Sequence, residues 1–302
     1  NISGNITDGV ISGSATGNGA GVDISGDSTL TNTTVSGNGT DGAGVSISGN
    51  LSNSGNSTVT GNASGNGVNI SGNITDGVIS GSATGNGAGV DISGDSTLTN
   101  TTVNGNGTDG SGVNISGNLT NSGNSTVTGN ASGNGNGNGV NISGNITDGV
   151  ISGSATGNGS GVDISGDSTL TNTTVNGNGT DGAGVSISGN LSNSGNSTVT
   201  GNASGNGTGV DINGTVTGGD ITGNASGNGN GVNISGNITD GVISGSATGN
   251  GAGVDISGDS TLTNTTVSGN GTDGAGVSIS GNLSNSGNST VTGNASGNGN
   301  GV

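Results

Sequence analysis

A short alternation of apolar and polar residues, Gly21-Val22-Asp23-Ile24-Ser25-Gly26, closes between glycines and returns about every twenty-two residues. Its leading valine recurs at Val22, Val45, Val68, Val90, Val113, Val140, Val162, Val185, Val210, Val232, Val254, Val277 and Val302. The gaps are 22 or 23 residues, broken once by 27 and twice by 25. A period of this size predicts a solenoid, one supersecondary unit stacked on the next.

Within each coil the pattern predicts three short strands. In the first, a period of two turns Val22 and Ile24 inward and Asp23 and Ser25 outward. The second centres on one inward aliphatic between polar neighbours: Leu30 between Thr29 and Thr31, Leu51 between Asn50 and Ser52, Ile74 between Asn73 and Thr75. These three aliphatics are expected to stack on one another. The third holds Val35, Val59 or Ile79, then a glycine, then Gly39, Ala63 or Ala83, a small position that suggests a tight inner corner. Asparagine and glycine supply the left-handed conformations expected at the corners. Parallel pairing at about 4.8 Å per rung makes thirteen rungs a rod on the order of 60 Å long.

Three coils of different wording form a larger repeat, which opens at Asn1, Asn69, Asn141 and Asn233 with Asn-Ile-Ser-Gly-Asn-Ile-Thr-Asp-Gly-Val-Ile-Ser. The chain therefore reads as one solenoid of about 13 coils of 22–23 residues, in large repeats 1–68, 69–140, 141–232 and 233–302. The second interval is lengthened by Gly-Asn pairs between Gly133 and Gly139. The third carries one extra coil, containing Val210, Asp211 and Ile212. A solenoid accepts whole coils and enlarged corners, whereas a fractional insertion would turn every later side chain to the wrong face. Asn1 begins partway through a coil and Val302 at the start of one, which suggests a fragment or subunit of a longer rod.

Composition sharpens this picture. Nine residue types make up the chain; there are 75 glycines and no proline, cysteine or aromatic residue. Helix formers other than alanine and leucine are missing, while valine, isoleucine and threonine suit a pleated strand. With 24% hydrophobic residues no wide core can form, and a lone coil should not fold. All 18 charges are aspartates, so repulsion disfavours nucleic acid and anionic membranes as partners. No apolar run approaches membrane-spanning length.

The runs Gly-Val-Asp-Ile-Ser-Gly, Gly-Asn-Leu-Ser-Asn-Ser-Gly-Asn-Ser-Thr-Val-Thr-Gly and Asn-Ala-Ser-Gly-Asn-Gly resemble the β-helical repeats of bacterial filamentous-haemagglutinin-like exoproteins and autotransporter adhesins. The resemblance covers the whole chain through its style and period. It implies an all-β, right-handed, three-sided parallel β-solenoid, secreted or held at a bacterial cell surface, that projects a binding tip or builds an extracellular fibre. The absence of aromatic and basic residues departs from that family and favours a stalk or filament body over an adhesive tip.

Candidate chemistry is sparse. Without histidine, lysine or glutamate, nothing but Asp, Ser and Thr is available for acid–base or nucleophilic work. Asp23 with Asp27 has the look of a glycosidase carboxylate pair. It returns as Asp91/Asp95, Asp163/Asp167 and Asp255/Asp259, a rhythm more typical of a surface than of one active centre, and the expectation is no enzyme and no resident cofactor. Calcium is the cation such carboxylates could take, but Asp8, Asp23, Asp27 and Asp41 are dispersed along the first repeat. Of ten asparagines in residues 1–68, seven (Asn1, Asn5, Asn32, Asn38, Asn50, Asn56 and Asn62) begin an Asn-x-Ser/Thr glycosylation sequon. Strand alternation alone also brings an outward Asn and an outward Ser or Thr together, so sugar coat and bare polar ladder stay open as readings. Outward Thr29/Thr31 and Thr58/Thr60 suggest a threonine face of the ice-binding kind, but the pair drifts to Asn50/Ser52 and Asn73/Thr75. The expected function is a structural rod of an extracellular adhesin or filament that joins end to end or continues a longer chain. The alternative is a module whose repeated polar face binds polysaccharide, a partner filament or ice.

Overall fold

A computed structural model of residues 1–302 contains 38 strands and no helix. The chain divides into two compact units, residues 1–153 and 154–302. Each is a three-sided parallel β-solenoid in which strands pair with those one coil before and one coil after them, the strands at the ends of each sheet having one such neighbour. A typical coil holds Val45–Ser48, Leu51–Ser54 and Thr58–Ala63 before the next begins at Val68. We call the three sides the valine, leucine and glycine sheets.

The valine sheet follows the alternation without deviation. In the first unit Val22, Val45, Val68, Val90, Val113 and Val140 are successive register partners. In the second unit Val162, Val185, Val210, Val232, Val254 and Val277 repeat the arrangement. The isoleucines two residues on form a second buried stack. The inserted coil around Val210 is complete: Val216 pairs with Leu191 and Ile238, and Ile221 with Val199 and Ile243. The added Gly-Asn pairs lie in the corner between Ala131 and Val140.

The glycine sheet has the longest strands, six residues in each coil, and it sets the width of the core. Val35, Val59 and Ile79 stack, as do Gly37, Gly61 and Gly81 and then Gly39, Ala63 and Ala83. A Cβ on Gly61 would overlap the carbonyl oxygen of Gly67 and lie 2.8 Å from the Val68 Cγ2. At this point the glycine sheet touches the backbone entering the valine sheet, and no side chain fits between them. The same conflict recurs at Gly105, against Gly112 and Val113.

The leucine sheet departs from the expected stack. Leu51 lies opposite Ser28 rather than Leu30, and Leu30 lies opposite Asn53. Ile74 is partnered by Leu51 on one side and Leu98 on the other. The cause is corner length. Ser28, Leu51 and Ile74 each stand six residues after their leading valine, and the coil carrying Ile74 has a strand of only two residues. An asparagine is thereby drawn into the core. Asn53 is 2% exposed, and its Nδ2 donates to the Asp76 carbonyl at 2.9 Å while its Oδ1 finds no partner. Asn121 and Asn193 repeat this burial and this unpaired oxygen.

The corner between the leucine and glycine sheets is held by polar groups. Asn32 takes φ +46° and Asp76 φ +54°, so aspartate joins asparagine in the left-handed conformation. These residues meet between coils: Asn32 Nδ2 donates to Asp8 Oδ1 at 3.0 Å, and Asn100 Nδ2 to Asp76 Oδ1 at 3.2 Å. Beneath them the buried Ser57 hydroxyl accepts the Thr33 N–H at 3.2 Å and bonds the Leu30 and Ser54 carbonyls at 2.9 Å each. Buried backbone groups left open where the chain turns are thus satisfied by hydroxyls.

Candidate functional site

The sequence-predicted residues do not converge. Asp23 stands on the outer valine sheet and Asp27 in the next corner; Asp8 and Asp41 occupy the other two corners. No cluster of three or more carboxylates forms. Asp27 is spent in a coil-to-coil bond, its Oδ1 accepting the Asn50 backbone N–H at 2.9 Å and the Asn50 Nδ2 at 3.2 Å. The equivalents Asp95 and Asp167 accept from Asn118 and Asn190, each at 2.8 Å.

Asp259 shows the electrostatic consequence. The backbone N–H of Asn282 reaches its Oδ1 at 2.8 Å, and this bond, helped by the Asn282 side chain, holds the Asp259 carboxyl below the usual carboxylate range. A depressed folded-state pKa contributes stability above the unfolded value and loses it as pH falls through the folded value. We therefore expect the Asp259 carboxyl to titrate below an unstructured aspartate in carbon-detected NMR. The Asn282 amide shift should move in the same acid step. Titration at the ordinary aspartate value would disprove the bond.

All seven sequon asparagines are exposed. Most of their carboxamides are engaged between coils. Asn5 Oδ1 accepts the Thr29 N–H at 3.0 Å, Asn62 Nδ2 donates to Asn38 Oδ1 at 3.4 Å, and Asn50 Oδ1 accepts the Asn73 N–H at 3.1 Å. Asn56 sits in the leucine–glycine corner and no such ladder bond ties its carboxamide. The two threonine pairs compared above lie on different sheets, Thr29/Thr31 on the leucine sheet and Thr58/Thr60 on the glycine sheet. Thr58 and Thr60 are flanked by Thr34 and Ser36 on one side and by Val78 and Ser80 on the other.

A concavity lies in the second unit, where the glycine sheet turns toward the valine sheet. It has a volume of about 420 Å³ and runs across successive coils. One wall is an amide row in which Asn202 Nδ2 donates to Asn178 Oδ1 at 3.1 Å and Asn224 Nδ2 to Asn202 Oδ1 at 3.0 Å. The other is a hydroxyl row that includes Thr180, Ser226 and Thr248, over a floor of small residues such as Ala203 and Ala225. Thr248 Oγ1 donates to the Ser226 carbonyl at 3.1 Å, so its oxygen lone pairs stay available. The groove offers amide N–H donors along one side and hydroxyl acceptors along the other, with no charge.

The chain matches no protein-family model, no curated protein and no solved structure.

What sequence reasoning missed is how the charges are sorted. Of the 18 aspartates, five lie on the outer valine sheet and twelve in the three corners. One, Asp220, lies on the outer face of the glycine sheet, and it belongs to the second unit. Outward positions of that sheet carry Thr or Val first, Ser, Thr or Asn next, and Asn or Ser last. The signal was present: once the six-residue strand is assigned, its alternate positions contain no aspartate in residues 1–153.

Proposed function

We propose that the chain is a non-enzymatic structural solenoid, the stalk or filament body of an extracellular or cell-surface adhesin. The observation that supports this reading is where the polar side chains are used. Asn32, Asn50, Asn62 and Asn100 bond to the coil before them instead of converging on a reactive centre. Such bonds resist the separation of coils, and a fibre under tension needs that resistance along its whole length. An aspartate-only charge set also keeps like fibres apart in solution.

The test is immunogold electron microscopy of the source cells with antibody raised against the chain. We expect labelled thin fibres on intact, unpermeabilised cells. Label that appears only after permeabilisation would overturn the assignment. The neutral groove of the second unit supports a second reading, a module for an uncharged, hydroxyl-rich polymer. Glycan-array binding abolished by Thr180→Val with Ser226→Ala would favour it.

A further inference from the structure

We infer that the outer face of the glycine sheet in the first unit is a self-pairing surface, and that its partner is the same face of a second copy of this chain.

Charge restricts how two copies of this chain can meet. A protein carrying 18 negative charges and no positive ones repels its own copies from most directions. The outer valine sheet carries aspartates, including Asp23 and Asp91, and each corner carries more. The outer glycine sheet of residues 1–153 carries none. The outer leucine sheet carries none either, but its strands have only two to four residues against six here, so the glycine sheet is the wider of the two sides on which copies can approach without bringing carboxylates face to face. The corner aspartates flank it as a charged rim.

Shape and chemistry agree. In-register parallel strands with short side chains on their outward positions form the kind of surface that mates as a dry, interdigitated pair of sheets. Here the outward rows run Val78, Thr102 and Thr126, then Ser80, Asn104 and Thr128. Val10, Val78 and Val150 expose 80%, 37% and 38% of their surface, on a sheet face that is otherwise polar and uncharged. The third row holds an amide ladder, with Asn130 Nδ2 donating to Asn106 Oδ1 at 3.1 Å. These carboxamides are already held in position, so pairing would order few additional rotamers.

Area sets the strength. Six strands of six residues, from Val10–Ala15 to Thr126–Ala131, cover roughly 20 by 29 Å, or about 600 Å² on each partner. That lies at the low end of specific interfaces and fits a reversible association. One such face in an isologous contact closes on itself, so the product is a dimer and not an open array. Salt should strengthen the pairing by screening the rim carboxylates, the reverse of an interface held by ion pairs.

The inference goes beyond the stalk reading and does not depend on it, because the readout is association of purified protein rather than its place on a cell. The full chain is made in a host that adds no glycan, since Asn38 and Asn62 sit on this face, and is followed by sedimentation velocity over roughly a hundredfold concentration range. Wild type should pass from monomer to dimer. Thr60→Asp with Thr128→Asp, which places carboxylates at two outward positions of the face, should weaken dimerisation at least about tenfold. Ser48→Asp with Ser116→Asp adds the same charge to the exposed valine sheet and should leave dimerisation close to wild type. Circular dichroism melts verify that both variants stay folded. The inference is overturned by a wild type that remains monomeric throughout, by control substitutions as damaging as those on the face, or by growth beyond the dimer at constant mass per length, which would signify end-to-end joining.

Discussion

Gly61→Ala should be among the most damaging single-methyl changes available in this chain. The added carbon meets the backbone carbonyl of Gly67, which cannot swing aside, and lies 2.8 Å from Val68 Cγ2. To admit it, the glycine sheet must move away from the strand entering the valine sheet, disturbing the Val59 and Val68 stacks on either side. Overfilling a packed core costs about 1–3 kcal/mol, and a backbone clash belongs at or above the top of that range. Because solenoid stability is a sum of coil and neighbour terms, the loss should stay local. Native-state hydrogen exchange should show faster exchange in Thr58–Ala63 and Val68–Ser71, with Val113–Ser116 unaffected. Ala63→Gly provides the contrast, since Gly39 already occupies the equivalent position one coil away, and should cost no more than about 1 kcal/mol. Equal exchange in Gly61→Ala and wild type would refute the narrow-core account.

Asn53→Asp should be costly in a different way, one that depends on pH. The substitution is nearly isosteric, but it exchanges the Nδ2 donor facing the Asp76 carbonyl for a carboxyl oxygen in a site only 2% exposed. Ionised, the new group would be a buried charge opposite a carbonyl dipole, a situation worth about 3–5 kcal/mol of destabilisation. Protonated, it can donate to the same carbonyl. Burial and the carbonyl both raise its folded pKa above the ordinary aspartate value near 3.9. The folded state then holds its proton to higher pH than the unfolded chain, so the deficit is small in acid, grows between the two pKa values, and is constant above the folded one. Melting temperatures of variant and wild type should diverge as pH rises from about 4 to about 8. A difference independent of pH would mean that residue 53 is not held in the core.

The unpaired Oδ1 of Asn53, Asn121 and Asn193 explains why this site is sensitive before any mutation. Continuing the leucine stack would need an aliphatic there, yet the corner that follows needs a donor for the carbonyl of a left-handed residue, Asp76 in the first of these coils. The observed residue meets the second requirement at the expense of the first. Serine and threonine solve the neighbouring problem more completely, since the Ser57 hydroxyl accepts one N–H and shares its single proton between two carbonyls.

The candidate surfaces follow the same division between what is local and what is not. Sequon asparagines such as Asn5 and Asn50 are outward because alternation in and beside the strands puts them there, and this was readable from one coil alone. That their amides cap the coil above or below was not, because each bond spans 23 or 24 residues. The neutral face of the glycine sheet and the groove at its edge become visible only when every third strand is laid beside its neighbours.

By itself the sequence determined the period, the three strands per coil, and the inward stacks of Val22, Ile24, Val35 and their repeats. It also placed the extra material, a whole coil at Val210 and a widened corner after Ala131. Each of these depends on alternation within a strand and on the rule that successive coils must stay in register. Only the tertiary structure decided which residues of the leucine sheet lie opposite one another. A four-residue strand with two inward positions can pair in either of two alignments that keep the same faces inward, two residues apart. The choice between Leu30 opposite Leu51 and Leu30 opposite Asn53 is made by the lengths of the corners and the ladders they must complete, and those belong to the stack, not to the strand.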